Sequence, residues 1–428
     1  MNKPEIKLIG NGKYGCVFHP GVSCNKKLAV PDKHVVNKVQ VKDYTLVKEI
    51  NIGNVIAQIP KYEYRFAPIK EWCNVNLSTV QDNVIQKCDL GITRENKNNF
   101  LSSTITYVGK NTLLSYLEKL LEKTIEKSPK IKSGSTLKRG RINMRKFITK
   151  IIEIHIYLLE SIQLLQSKNI VHFDLKENNI LYDEHNDIPI IIDYGLSLLW
   201  SDIKTADQYK DAFGFNTYET YRYWGIESVL FMYICDNIVK SKDDKFTALQ
   251  NNIQIEDIKN LKEKTLKTFI NGDDDKRHPR MSESEIKTFE TKAVHYINSF
   301  SKPNTKWITM WESLKNSQST WDNYSIAQIF YIIFYKFELL DPELNLNFIK
   351  KYINILKTII LCEPCKRIPL AETIKSLKGI TKNIEKEDLK DEMRQINKKV
   401  NQPNYVNNTK QKVNLFKYNE LREEKGRK

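Results

Sequence analysis

The sequence predicts an α+β chain in which a small strand-rich N-terminal part precedes a larger, mainly helical part. Three patterns carry that expectation. Short alternating apolar stretches crowd the first hundred or so residues, apolar residues recur at helical spacing through much of the remainder, and two linked loop-and-strand segments around residues 170–195 interrupt the helices. At 428 residues the chain is long for one small domain and suits two parts with insertions.

The first strand-like element runs into Ile9-Gly10-Asn11-Gly12-Lys13-Tyr14-Gly15-Cys16-Val17, a G-x-G-x-x-G-x-V pattern. Glycines there let a strand-turn-strand bring backbone N–H groups close to phosphates. Dinucleotide-binding turns share the spacing but lead into a helix, whereas Val17 and Phe18 open a second strand-like stretch. His34 to Val39 alternates as a strand and carries Lys38, whose plain alternative is a solvent-facing lysine. Glu49 opens a stretch of helical periodicity, Glu-Ile-Asn-Ile-Gly-Asn-Val-Ile. Ile105 to Gly109 reads as a strand ending before the helix-like Leu113 to Leu117, and a further helix is expected from Phe147 to Leu165.

At the centre stands Ile-Val-His-Phe-Asp-Leu-Lys-Glu-Asn-Asn-Ile, residues 170–180, followed by a strand-like run ending in Asp193-Tyr194-Gly195. Asp174, Lys176, Asn179 and Asp193 are the polar groups phosphoryl transfer requires: a proton acceptor, a cation and hard oxygen ligands for a metal. A lone Asp-Leu-Lys is ordinarily a solvated loop or a helix cap, but six specified positions in two linked segments are far less ordinary. Together the two segments resemble the catalytic loop and metal-binding loop of eukaryotic-type protein kinases.

That resemblance implies a two-lobed protein kinase-like fold, with an N-lobe over 1–106, a C-lobe over 107–379 and ATP between them. It implies that Asp174 is the catalytic base, that Lys176 places its charge against the transferring phosphate, and that Asn179 and Asp193 hold Mg2+. A lysine at 176 looks like the serine/threonine class. Lys38 would pair with the α- and β-phosphates and Glu49 with Lys38, at a shorter interval than kinases usually show. Gly10, Asn11, Gly12, Lys13, Tyr14, Gly15 and Val17 would cover the phosphates, while backbone groups of Thr106 and Val108 would meet adenine beside Ile105 as gatekeeper. Tyr223 to Glu227 stands where kinases carry Y-x-A-P-E, and only the tyrosine and glutamate match. Asp322 resembles the aspartate that braces the catalytic loop, and Arg367, in Cys362 to Pro369, resembles the arginine paired with the motif's glutamate, here Glu227.

Phe173 occupies the place where many kinases have an arginine that meets a phosphate on the activation segment. The resemblance therefore implies activity without such phosphorylation, although Thr217, Tyr218, Thr220 and Tyr221 carry hydroxyls. Tyr194 replaces the usual phenylalanine and keeps an aromatic plug. Two insertions are expected: a basic, serine-containing mobile loop over 121–146, and a longer one over 235–320 forming two or three amphipathic helices around the polar turn Asn271 to Asp275. That turn lacks the spaced ligands of an EF-hand.

Seven scattered cysteines fit reduced thiols better than a disulfide framework, and Cys362-x-x-Cys365 lacks the second pair a zinc site needs. No apolar run approaches the ~20 residues of a membrane span and no signal-peptide pattern is present, so an intracellular, cytoplasmic protein is expected. A formal net charge of +16, with 68 basic against 52 acidic residues, suits nucleic acid, anionic surfaces or acidic substrates, with loop 127–146 as the candidate contact. AT-rich coding explains the lysine excess equally, and that composition is also similar to diverged kinases of large cytoplasmic DNA viruses and some protists, whose proteins would sit in host cytoplasm or virion. Residues 380–428 are charged and core-poor, an exposed helix or partly disordered tail. Three readings of function follow: a serine/threonine protein kinase using ATP and Mg2+ on protein substrates, a kinase-fold ATP-binding scaffold, and a basic nucleic-acid-binding protein.

Overall fold

The computed structural model of the chain describes residues 5–12, 15–22, 24, 31–76, 80–126, 134–200, 223–238, 247–270, 282–337, 339 and 347–400. It is a mixed α+β structure of two units, Met1–Leu377 and Lys378–Lys428. Hydroxyls at 217, 218, 220 and 221, the turn at 271–275 and the basic residues 127–133 lie outside the described residues.

The chain begins with the hairpin β1 (Lys7–Gly12) and β2 (Gly15–His19), then a two-stranded ribbon, β3 (Gly21–Val22) with β4 (Pro31–Asp32). Strand β5 (Val35–Val41), helix α1 (Tyr44–Ile56), strand β6 (Ile69–Asn74), the short α2 (Asp82–Ile85) and strand β7 (Phe100–Thr106) follow. Five of these strands form one antiparallel sheet in the order β1-β2-β5-β7-β6. Successive strand residues point to opposite faces. The pairings Val17 with Lys38 and Lys38 with Ser103 therefore put those three side chains on one face, and Cys16 with Val39 on the other.

Helix α1 lies on the Lys38 face. Asp43 caps it by accepting from the Leu46 amide at 3.0 Å, and Leu46 and Ile50 pack against Ile69 of β6. The opposite face carries a second apolar core that periodicity does not reveal, in which Cys16, Phe18 and Val39 are covered by Val84, Ile85 and Ile92. Two disulfides belong to this part, Cys16–Cys88 and Cys24–Cys73. This corrects the expectation of reduced thiols. Cysteines 72 and 49 residues apart in sequence come within Cα separations of 5.8 and 5.6 Å, inside the range a disulfide can span, and cysteine spacing could not show that.

Helices dominate the rest. Helix α3 (Leu113–Glu126) is followed by α4 (Gly134–Ser167), and four short strands come next: β8 (Ile170–Val171), β9 (Ile180–Asp183), β10 (Ile188–Ile191) and β11 (Leu198–Leu199). Strand β9 pairs with β10 and β8 with β11, both antiparallel. The expected mobile loop over 121–146 is thereby corrected: 121–126 ends α3, and α4 begins at Gly134 rather than Phe147. Leucine, lysine, arginine and methionine between 137 and 146 are good helix formers, and they prevail over the glycines that suggested a loop.

Helix α5 (Ile226–Asn237) leads to α6 (Ile255–Ile270), α7 (Glu283–Asn298) and α8 (Trp307–Asn316), so the described residues between 239 and 317 carry three α-helices. Ser282 and Glu285 form a capping box at the start of α7. These helices share a core with α5 through Phe231, Leu261, Ile297 and Trp311. Helix α9 (Trp321–Lys336) is buried along almost its whole length, and α10 (Asn347–Leu361) follows. Helix α11 (Leu370–Val400) supplies all the described residues of the second unit. Among the described residues no helix is long and apolar enough to cross a membrane.

Candidate active site

A cleft of about 160 Å³, open to solvent, lies between the sheet and the β9–β10 hairpin. Ile9, Val17, Val36, Ala67, Leu181 and Ile192 give it apolar walls, and Lys38, Glu49 and Asp193 line it as well. The apolar walls and the few convergent polar groups suit a small-molecule site. Residues 105–109 form one edge, with Gly109 at φ +126° and the Tyr107 amide donating to the His34 carbonyl at 2.9 Å. Thr106 and Val108 are thus on the cleft wall.

Strand β5 delivers Lys38 and helix α1 delivers Glu49. The Lys38 ammonium donates to both Glu49 oxygens at 3.1 Å and to Asp193 Oδ1 at 2.9 Å. Burial alone would lower the lysine's pKa, but Asp193 and Glu49 more than offset it and hold the ammonium above its ordinary value. Burial would likewise raise Asp193, and the facing Lys38 charge turns the shift downward. Asp193 keeps 39 % of its side chain exposed, so it is the open end of this triad. Gln40, two residues after Lys38 and therefore on the same face, donates from Nε2 to Glu49 Oε2 at 3.1 Å. Nothing in the sequence singled out Gln40.

Asp174, Lys176 and Asn179 gather on the loop after β8. Lys176 Nζ lies 2.9 and 3.2 Å from the Asp174 oxygens, and Asn179 Nδ2 donates to both the carboxylate and the carbonyl of Asp174, at 2.9 and 2.8 Å. His172 ties this loop to the Asp193 loop. Its Nδ1 accepts from the Asp174 amide and its Nε2 meets the Ile192 carbonyl at 3.1 Å, which together require the Nε2–H tautomer. The loop backbone is braced by Asp322, which accepts from the amides of His172 at 2.8 Å and Phe173 at 3.0 Å. Burial raises the Asp322 carboxyl in spite of those bonds. Arg367 and Glu227 form a fully buried ion pair, and the arginine also donates to Thr320 Oγ1 at 2.8 Å. The Tyr194 hydroxyl donates to the Ile191 carbonyl at 3.0 Å, so the aromatic exchange there leaves no buried polar atom unmet.

In the glycine-rich segment, Gly10 and Asn11 belong to β1, Gly12 pairs with Gly15, and Val17 reaches the cleft. Lys13 and Tyr14 lie outside the described residues. A Cβ at Gly15 would come 2.9 Å from Gln40 Cγ and 3.1 Å from the Val39 carbonyl. This glycine is therefore required by the packing of β5 as well as by any ligand. The Asn11 side chain, on an exposed residue, bonds to the 87–89 backbone, accepting from the Asp89 amide at 3.1 Å and donating to the Lys87 carbonyl at 3.0 Å.

A nucleotide fits this donor set. The walls suit a flat base, the lysine suits phosphate oxygens, and an Asn amide oxygen with one carboxylate suits Mg2+, which takes one or two protein oxygens and completes its shell from phosphates and water. Among the described residues no three His, Cys, Asp or Glu side chains cluster as a metal cage. Neither the family models nor the curated proteins contain a match to this chain.

Proposed function

We infer that the chain is a two-lobed serine/threonine protein kinase that moves the ATP γ-phosphoryl group to a protein hydroxyl with Mg2+. The observation that carries this reading is the Lys38–Glu49–Asp193 triad lining the cleft, with the Asp193 loop tied through His172 and the Ile192 carbonyl to a loop that gathers Asp174, Lys176 and Asn179. Residues 1–106 and 107–379 would be the lobes and 380–428 an appended tail.

On this reading Glu49 and Gln40 hold Lys38 on the cleft side of β5, where its ammonium binds phosphate oxygens. Asp174 orients the acceptor hydroxyl and takes its proton. Lys176, which here neutralises Asp174, supplies a cation for the charge on the transferred group. Asn179 and Asp193 would hold Mg2+, which screens the phosphate charges. The apolar walls exclude water, which strengthens each of these interactions. Protein is the preferred acceptor class because Tyr223 to Glu227 resembles the segment that positions a peptide.

Transfer of radiolabelled γ-phosphate to a panel of basic and acidic proteins tests the reading. Transfer to serine or threonine, lost in Asp174→Asn and Lys38→Met by a factor of about 10³ or more, is the expected result. Tight ATP binding without transfer would make the protein a nucleotide-binding scaffold, and absence of both would overturn the reading.

A further inference from the structure

Phe173, the residue before Asp174, has a left-handed backbone at φ +65° and is 2 % exposed. A bulky residue rarely takes that conformation, and it persists only where its surroundings over-determine it. Here they do so from two distant parts of the chain. Its amide donates to Asp322 at 3.0 Å, and its carbonyl accepts from the indole Nε1 of Trp224 at 2.7 Å. Its ring lies between two indoles, with centroids 4.7 Å from Trp224 and 5.5 Å from Trp321.

Trp224 itself stands on a fixed base. Ser325 Oγ, on α9, donates to the carbonyl of the preceding Tyr223 at 2.7 Å, and Glu227, three residues on, is locked to Arg367. The Tyr223 hydroxyl reaches Glu177, on the far side of Asp174. Both ends of the loop bearing Asp174 are therefore gripped by two consecutive aromatic residues.

We propose that Trp224 is a positioning residue for phosphoryl transfer: its indole N–H holds the Phe173 carbonyl and so fixes the direction in which Asp174 leaves the backbone. The proposal rests on the kinase reading for its consequence, and on the hydrogen bond and ring packing for its mechanism. Asp174 has little freedom of its own, since a short carboxylate is aimed by its backbone, and a displacement near 1 Å is worth about a hundredfold in rate. The effect falls on kcat, because no atom of Trp224 lines the nucleotide cleft.

Two variants separate the N–H from the ring: Trp224→Phe, and β-(3-benzothienyl)alanine at position 224, which keeps the fused rings and lacks the N–H. Hydrogen exchange is followed by mass spectrometry on peptides covering 170–176, beside ATP saturation curves for phosphate transfer. Expected are faster exchange confined to that stretch, kcat lower by about ten- to a hundredfold, and an unchanged KM for ATP. Wild-type exchange in both variants overturns the grip, whatever the rates, and wild-type kcat with faster exchange overturns the positioning role. Wild-type protein that transfers no phosphate would defeat the kinase reading instead, and the exchange comparison would still decide whether Trp224 holds the loop.

Discussion

Gln40 gives Glu49 a second donor beside Lys38, one that on the kinase reading stays in place when Lys38 turns toward a phosphate. The bond from its Nε2 to the carboxylate is buried, and its own Oε1 finds no partner among the described residues. An unmet buried oxygen is a standing cost, which marks the amide as kept for its donor side. A hydrogen bond to a charged group is worth about 1.5–3 kcal/mol. Gln40→Leu is accordingly expected to lower kcat/KM for ATP by about tenfold or more, read from ATP saturation curves. His155 provides the pH-dependent counterpart. Its ring is fully buried against Phe330, with Nδ1 2.8 Å from the Tyr352 hydroxyl, and burial lowers its pKa to about 3. Unfolded chains take up a proton there near pH 6.5 and the folded protein does not, so stability falls as pH drops from about 6.5 toward 3. Denaturant melts at stepped pH should show a shallower acid decline in His155→Gln. The sequence singled out Lys38, Asp174, Asn179 and Asp193 because the phosphoryl-transfer pattern that they resemble restricts residue type and spacing together. Gln40, His155 and the role of Trp224 stayed hidden because a single glutamine, histidine or tryptophan carries no spacing signal, and its meaning depends on contacts across the fold.

Helix α1 shows how an element's position is set by what it lacks. Gly53 faces β6 so closely that a Cβ would stand 2.9 Å from the Ile69 carbonyl oxygen. Backbone cannot yield as a flexible side chain can, so Gly53→Ala should push the helix outward and carry Glu49 with it. Overpacking of this kind costs about 1–3 kcal/mol. Thermal melts should register that loss, and phosphate transfer should fall further than stability alone explains. Periodicity found the strand holding Lys38 and the helix holding Glu49, since one alternates at period two and the other at 3.6. It found α4 from Phe147 onward but missed its start at Gly134, where glycines and serines outweighed the surrounding helix formers, and it missed the cover over the sheet's second face. The cover is built from short, irregular pieces between 75 and 92 whose apolar residues follow no single period.

Across the whole molecule, the Arg367–Glu227 pair joins the segment after α10 to the start of α5, 140 residues apart in sequence. Both side chains are essentially without solvent contact. Removing one partner strands the other's charge, so Arg367→Ala should lower unfolding free energy by about 3–5 kcal/mol, measurable by urea denaturation. Arg367→Lys should recover little, because the paired oxygens, Thr320 and the Ile359 carbonyl use the guanidinium's several donors.

The two disulfides also divide the molecule in a way that appears only when it comes apart. The 24–73 bridge closes a ring lying wholly inside the ring closed by 16–88, while the other three cysteines, 235, 362 and 365, belong to neither bridge. Without reductant, a denatured chain would be two polymers in one: nested loops over its first ninety residues, each bridge having already removed about 4 kcal/mol of loop-closure entropy, and an open coil beyond. Sheet and helices would then set out toward the native state from unequal starting points.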